Sequence, residues 1–376
     1  MLISLDMKYQ VICIILSHLL FGHILAFASD DVYSKLKFGP EWTFTLRRTG
    51  IIDDFDRDEL REKKKEIWIQ YKKLCQNSKK CTVSGQKYYE NFSVSFANGL
   101  NIEITDDPGV IEVKSNIHSL TEFQKLLPFV QLNVFDQFKK IKMTPHEREG
   151  AGHVNIDLNY FKDKPLLLYN FIVDFYNHPG LGLVLNSDSA NSEDANYLNH
   201  FLERKHMHAA GFMWILYELP REIEKLGHSL SQKNSKVNSS DVISTFIQVL
   251  SQKYIALGLR SVSGGVFSDK SRMEVRVLRP QATALDYQLV LEIFSARIKY
   301  LSQQSEPLKL KPISSIDDGW VALGQYMDYI ENAGLDYNKY KSLMPDVWRE
   351  LNPKSFIRSN QKNNNRTEKI KCEGLF

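Results

Sequence analysis

The chain has 376 residues, 43% of them hydrophobic and 25% charged, and its 48 Lys+Arg against 45 Asp+Glu leave a net charge of +3. Those are the proportions of a protein that buries a core, in one large domain or two ordinary ones. A charge this small, with basic residues scattered among acidic ones, argues against nucleic acid as a partner.

The first 28 residues have the parts of a cleavable secretory signal peptide. Lys8 lies near the start, and an apolar stretch runs from Val11 through Leu19-Leu20-Phe21 to Leu25. Ala26-Phe27-Ala28 then offers the small-x-small pattern that a signal peptidase accepts. A membrane anchor is the alternative, but the apolar stretch is only about 15 residues against the ~20 that a span needs. It also contains Ser17, His18, Gly22 and His23. The expectation is cleavage after Ala28 and a secreted or periplasmic protein with no further membrane segment.

Beyond the leader, Cys75 and Cys81 flank the polar run Gln76–Lys80. They form either a small disulfide, as an oxidising compartment favours, or two free thiols. Cys372 is left over, and no cysteine spacing suits zinc. From Lys354 to Lys371 the chain is basic and Asn-rich, the pattern of a flexible tail over residues 353–376.

Along the chain, residues 36–48 alternate apolar and polar as a half-buried strand does, and 53–77 read as a charged helix. Strands are predicted at Asn91–Ala97 and Leu100–Ile104. A turn at Asp106-Asp107-Pro108-Gly109 leads into a strand at Val110–Val113. Thr121–Phe138 reads as helix and Gly150–Leu158 as a strand with period-two alternation. The middle, about 159–240, is mostly helical, with breaks at His178–Asn196 and Ser229–Ser240. A helix at Asp241–Ala256, strands at Leu257–Val262 and Arg272–Leu278, and helices at Thr283–Leu301 and Asp317–Leu351 complete the chain. Strands and helices mix without regular β-α alternation. That predicts an α+β fold, an antiparallel sheet with helices packed over it, in one domain spanning 29–352.

Several strands present polar side chains at alternate positions, and residues two apart on a strand share a face. They offer Glu41 and Thr43; Asp107 and Glu112; His153 and Asn155; and Arg272, Glu274 and Arg276. Carboxylates with one histidine hold hard divalent cations, and arginines beside them suit phosphate because the guanidinium fork bonds it twice. Together these residue types suggest phosphoryl chemistry on a metal-bound nucleotide.

Those same segments resemble a family, the amidoligases with the glutamine synthetase/glutamate-cysteine ligase fold. Phe38-Gly39-Pro40-Glu41-Trp42-Thr43-Phe44 is similar to the family's Gly-x-Glu-x-Glu-Phe strand. Asp107-Pro108-Gly109-Val110-Ile111-Glu112 resembles its Asp-Gly…Glu strand, and Gly150-Ala151-Gly152-His153-Val154-Asn155 its Gly-x-His-x-His/Asn strand. Lys253–Arg260 followed by Met273–Leu278 resembles its last signature. The four segments fall in the family's order across about residues 36–302, with the helical insert about 159–240 between the third and fourth. The resemblance implies an ATP-dependent carboxylate–amine ligase acting through an acyl phosphate, with small-molecule or peptide substrates. Glu41, Glu112, His153 and Glu274 would hold one or two Mg²⁺ ions. Arg276 and Arg272 would neutralise charge on the transferred phosphoryl group. Arg260 and Lys270 are candidates for nucleotide phosphate, and Asn155 for orienting the substrate. Two departures bear on activity: Thr43 stands where the family carries a second acid, and Asn155 where it often carries His. A binding protein without catalysis, or a metal-dependent hydrolase, are the competing readings.

Other features carry less. His206 and His208 lie two apart on a predicted helix and so point apart. His146-Glu147-Arg148 reads as a polar loop. Asn91, Asn238 and Asn365 begin glycosylation triplets.

Overall fold

The computed structural model describes residues 31–46, 57–85, 91–107, 110–145, 152–185, 219–251, 256–262, 267–311 and 319–344. The leader, His146–Arg148, His206, His208 and the basic tail lie outside the described residues. Ten strands form one sheet: β1 (Lys37–Leu46), β2 (Cys81–Ser84), β3 (Phe92–Phe96), β4 (Asn101–Asp107), β5 (Val110–Ser115), β6 (His118–Ser119), β7 (Met143–Thr144), β8 (His153–Asp157), β9 (Leu257–Arg260) and β10 (Arg272–Val275). The order is β2-β3-β4-β5-β1-β8-β10-β9, with β6 and β7 also pairing β1. Every pairing among the described residues is antiparallel.

The fold is therefore α+β, an antiparallel sheet with helices on one face. Alternation along β1 sends Phe38, Trp42 and Phe44 to that face, each about 1% exposed. Of the helices, α1 is Asp31–Lys35, α2 Arg57–Ser78, α3 Leu120–Val130 and α4 Asp136–Lys140; α5 is Pro165–Asn177, α6 Pro179–Leu185, α7 Pro220–Ser231 and α8 Ser239–Leu250. The long helix α9 is Ala284–Ser302, followed by α10 Gly319–Glu331 and α11 Tyr337–Tyr340. Trp42 meets Phe135 and, on α9, Tyr287 edge-on, each at 5.4 Å, and Phe44 stacks on Phe138 at 4.1 Å. Thr283 starts α9 with a capping box: its hydroxyl accepts from the Asp286 N–H while the Asp286 carboxylate accepts from the Thr283 N–H.

The helix predicted over Thr121–Phe138 is interrupted by a π-helical turn at Gln131–Phe135 that joins α3 to α4. Pro128 inside α3 lacks an N–H, and side chains take up the carbonyls that the widened turn releases. Asn133 Nδ2 donates to the Phe129 carbonyl at 2.9 Å and Gln137 Nε2 to that of Leu132 at 2.8 Å.

Some predicted boundaries are corrected. The break expected from His178 holds a helix, Pro179–Leu185, since Pro179 sits at its first position and Leu181, Val184 and Leu185 are buried. The strand expected over Arg272–Leu278 ends at Val275, with one further in-register bond, Arg276 N to the Ala256 carbonyl, beyond it. Of the strand expected over Gly150–Leu158, Gly150 and Ala151 lie outside the described residues and β8 runs from His153 to Asp157, while β4 runs on through Asp107 where a turn was expected. The loop read between Cys75 and Cys81 is mostly the last turn of α2; Lys79 takes φ 54° and Cys81 opens β2. Cys75 and Cys81 form a disulfide. Among the described residues no helix is long and apolar enough to cross a membrane.

Candidate active site

The second face of the sheet carries the polar half of every alternating strand, and the pairing register brings these residues together. Thr43 lies opposite Glu112 on β1–β5, and Glu41 opposite both Lys114 on β5 and His153 on β8. Asn155 lies between Gly39 and Glu274, and Arg272 opposite Arg260. The four segments singled out in sequence thus occupy the consecutive strands β5-β1-β8-β10.

Their side chains are buried and closely bonded. Asn155 donates from Nδ2 to Glu41 Oε1 at 3.0 Å and accepts from Arg272 Nε at 2.8 Å, which settles which way its amide points. His153 Nδ1 is 3.3 Å from Glu41 Oε2 and 3.7 Å from Glu274 Oε1. Glu274 is clamped by two guanidinium groups: Arg260 Nε donates to Oε2 at 2.6 Å and Arg276 Nη1 to Oε1 at 2.9 Å. Lys114 Nζ lies 2.8 Å from Glu112 Oε2, which also accepts from Thr105 Oγ1 at 3.2 Å.

These contacts shape the ionisation of the three carboxyls. Burial pushes Glu41 up, but the His153 hydrogen bond and charge, with Lys114 and Asn155, outweigh it and hold it below the usual carboxylate range. Burial also opposes Glu274, yet Arg276, His153 and Arg260 bring it below its ordinary value. Glu112 goes the other way, raised by burial and by the neighbouring Glu41 charge, with Lys114 offsetting part.

Glu41, Glu112 and His153 each offer a ligand atom within 4.8 Å of the others. His153 Nε2 is buried and has no hydrogen-bond partner, and Arg276 Nε is in the same condition. A buried nitrogen left unsatisfied is costly: His153 can give a ring lone pair to an ion, whereas the Arg276 N–H needs an acceptor such as a phosphate oxygen. Two carboxylates and an imidazole suit a hard or borderline divalent ion. Glu274 stands beside this trio rather than in it, its two oxygens engaged by arginines.

Two glycines permit the arrangement. A methyl on Gly152 would run into the carbonyl oxygen of Arg279 and the Gln281 side chain, so only Gly lets β8 enter this close to the 278–281 segment. A methyl on Gly258 would meet the Arg260 guanidinium at 2.7 Å; its absence lets Arg260 fold back along β9 onto Glu274, Gly258's cross-strand partner.

The other sequence candidates differ. Lys270 is exposed on the turn before β10, where its N–H bonds Ser268 Oγ at 3.3 Å. The Asp107 side chain lies outside the described residues. Lys114, Thr105 and Gly258 were not singled out in sequence. Lys114 was discoverable, since it continues the Glu112 alternation by two residues.

No known family's sequence pattern matches the chain, and no curated protein resembles it in sequence. Among solved structures, apo GmaS is similar with a TM-score of 0.36 at 12% identity, over 90% of this chain and 72% of that one. GmaS in complex with ADP gives 0.38 at 12% identity, over 91% and 71%. The complex of the prokaryotic ubiquitin-like protein Pup with its ligase PafA gives 0.37 at 10%, over 88% and 62%. Likeness at this level assigns neither activity nor substrate to the chain.

Proposed function

We propose that this chain is an exported carboxylate–amine ligase that uses ATP and Mg²⁺. The observation that carries the reading is the convergence of Glu41, Glu112, His153, Asn155, Arg272 and Glu274 on one face of four neighbouring strands, with Arg276, just past β10, paired to Glu274. In that reading Glu41, Glu112 and His153 hold the ion, with Glu274 beside them. A bound Mg²⁺ would supply charge neutralisation for the nucleotide phosphates. Arg276, held by Glu274, and Arg272, held by Asn155, present guanidinium groups at fixed positions to the transferred phosphoryl group. The carboxylate substrate takes the γ-phosphoryl from ATP, giving an acyl phosphate and ADP. The amine then attacks the carbonyl carbon, loses a proton, and inorganic phosphate leaves. Arg260 acts through Glu274, and the exposed Lys270 is the candidate for a nucleotide phosphate. Substrates are small-molecule or peptide carboxylates and amines. Export rests on the leader and is supported by the Cys75–Cys81 bridge, which suits an oxidising compartment.

A second reading, a ligand-binding relative without catalysis, is favoured by Thr43 at the second acidic position and by the double clamp on Glu274. Incubating the mature protein with Mg²⁺, ATP and panels of carboxylates and amines separates the two. The ligase reading expects ADP and phosphate release that needs both substrates and is lost in Glu41→Gln and His153→Ala. Nucleotide binding by calorimetry without turnover supports the binding protein. Absence of both binding and release defeats both, and amide cleavage needing metal but no ATP supports a hydrolase.

A further inference from the structure

We infer that Lys114 is a built-in cation that takes the place of a second metal ion, so that the site holds one divalent ion and not two. This deepens the metal reading above and rests on it. The register puts Lys114 directly opposite Glu41 on one neighbouring strand and opposite Glu103 on the other, two residues from Glu112 on its own. Its ammonium lies 2.8 Å from Glu112 Oε2 and within Coulombic reach of Glu41 and Glu103. That is the side of Glu41 away from His153.

The remaining donors agree. Glu274 gives one oxygen to each of two arginines, and Glu41 Oε1 is engaged by Asn155. Thr43, the residue facing Glu112 across β1–β5, adds no charge. The buried carboxylates Glu41, Glu112 and Glu274, with the exposed Glu103 beside Lys114, thus face Lys114, Arg260, Arg272 and Arg276, a cluster whose acids are already matched by cations before any metal enters. The Glu41–Glu112–His153 trio offers ligands for one ion, which already leaves the cluster net positive; a second would add two more charges with no further buried carboxylate free to receive it. Lys114 is therefore a determinant of metal stoichiometry, its ammonium occupying the place beside Glu112.

Mn²⁺ titration of the whole mature protein, followed by electron paramagnetic resonance and calorimetry, tests this without turnover. One Mn²⁺ per chain is expected for the wild type and for Lys114→Arg. Lys114→Met is expected to bind a second ion, and its first about ten- to a hundredfold tighter, because one positive charge near a divalent ion has gone. Circular dichroism and Lys114→Gln confirm that the effect follows charge and not misfolding. Two ions in the wild type, or one in Lys114→Met with unchanged affinity, overturn the role of Lys114 and leave the metal reading standing. No ion in any of the proteins overturns both.

Discussion

Glu274→Gln is the change whose consequence the site defines best. The carboxylate accepts from Arg260 at 2.6 Å and from Arg276 at 2.9 Å and is almost wholly buried. Glutamine keeps the shape but retains one acceptor oxygen, and its amide hydrogens must face the other guanidinium. Each hydrogen bond to a charged partner is worth about 1.5–3 kcal/mol, and the smaller desolvation cost of an amide returns part of the loss. The net expectation is a destabilisation of about 2–3 kcal/mol, read as a lower urea midpoint with unchanged slope at pH 7 in chelator. The pH dependence has a definite sign. Glu274 ionises below its ordinary value of 4.5 when folded, so its contribution is complete above that value and disappears as pH falls through the folded one. The gap between wild type and variant is expected to stay constant from neutrality to about pH 4.5 and then to close. A midpoint shift worth less than about 0.5 kcal/mol, or a gap that widens in acid, would refute the clamp.

Gly152→Ala is expected to cost about 1–3 kcal/mol through overpacking against Arg279 and Gln281, and to weaken Mn²⁺ binding because His153 is the next residue; unchanged melting and affinity would contradict it. Arg297→Met strands Asp174, which it binds through Nε at 2.7 Å and Nη2 at 2.5 Å, and should destabilise by about 3–5 kcal/mol. Adding Asp174→Leu should restore much of that, and calorimetric melting of the single and double variants decides it. Replacing Cys75 and Cys81 by Ser opens a short loop and is expected to lower stability by about 2 kcal/mol in urea titrations. Terminal sequencing of the exported protein is expected to begin at Ser29; a retained leader would replace the signal peptide with an anchor.

Read alone, the sequence determined the alternation of β1, β5, β8 and β10, because a strand's period of two is local and needs no partner. From it came the antiparallel α+β class and the polar residues Glu41, Glu112, His153, Asn155, Arg272 and Glu274. The helix from Thr283 was equally visible, although the capping box that starts it was read only from the structure. Local pattern misplaced the π turn at Gln131–Phe135 and the helix Pro179–Leu185, since side-chain satisfaction of carbonyls and burial against distant elements decide those. Only the tertiary structure decided which charges neutralise which. Strand order and register place His153 across from Glu41, Arg260 beside Glu274 over a bare Gly258, and Lys114 facing Glu41. Ion pairs between strands depend on register, which no single strand's pattern contains. The proposed export leader rests on the sequence alone.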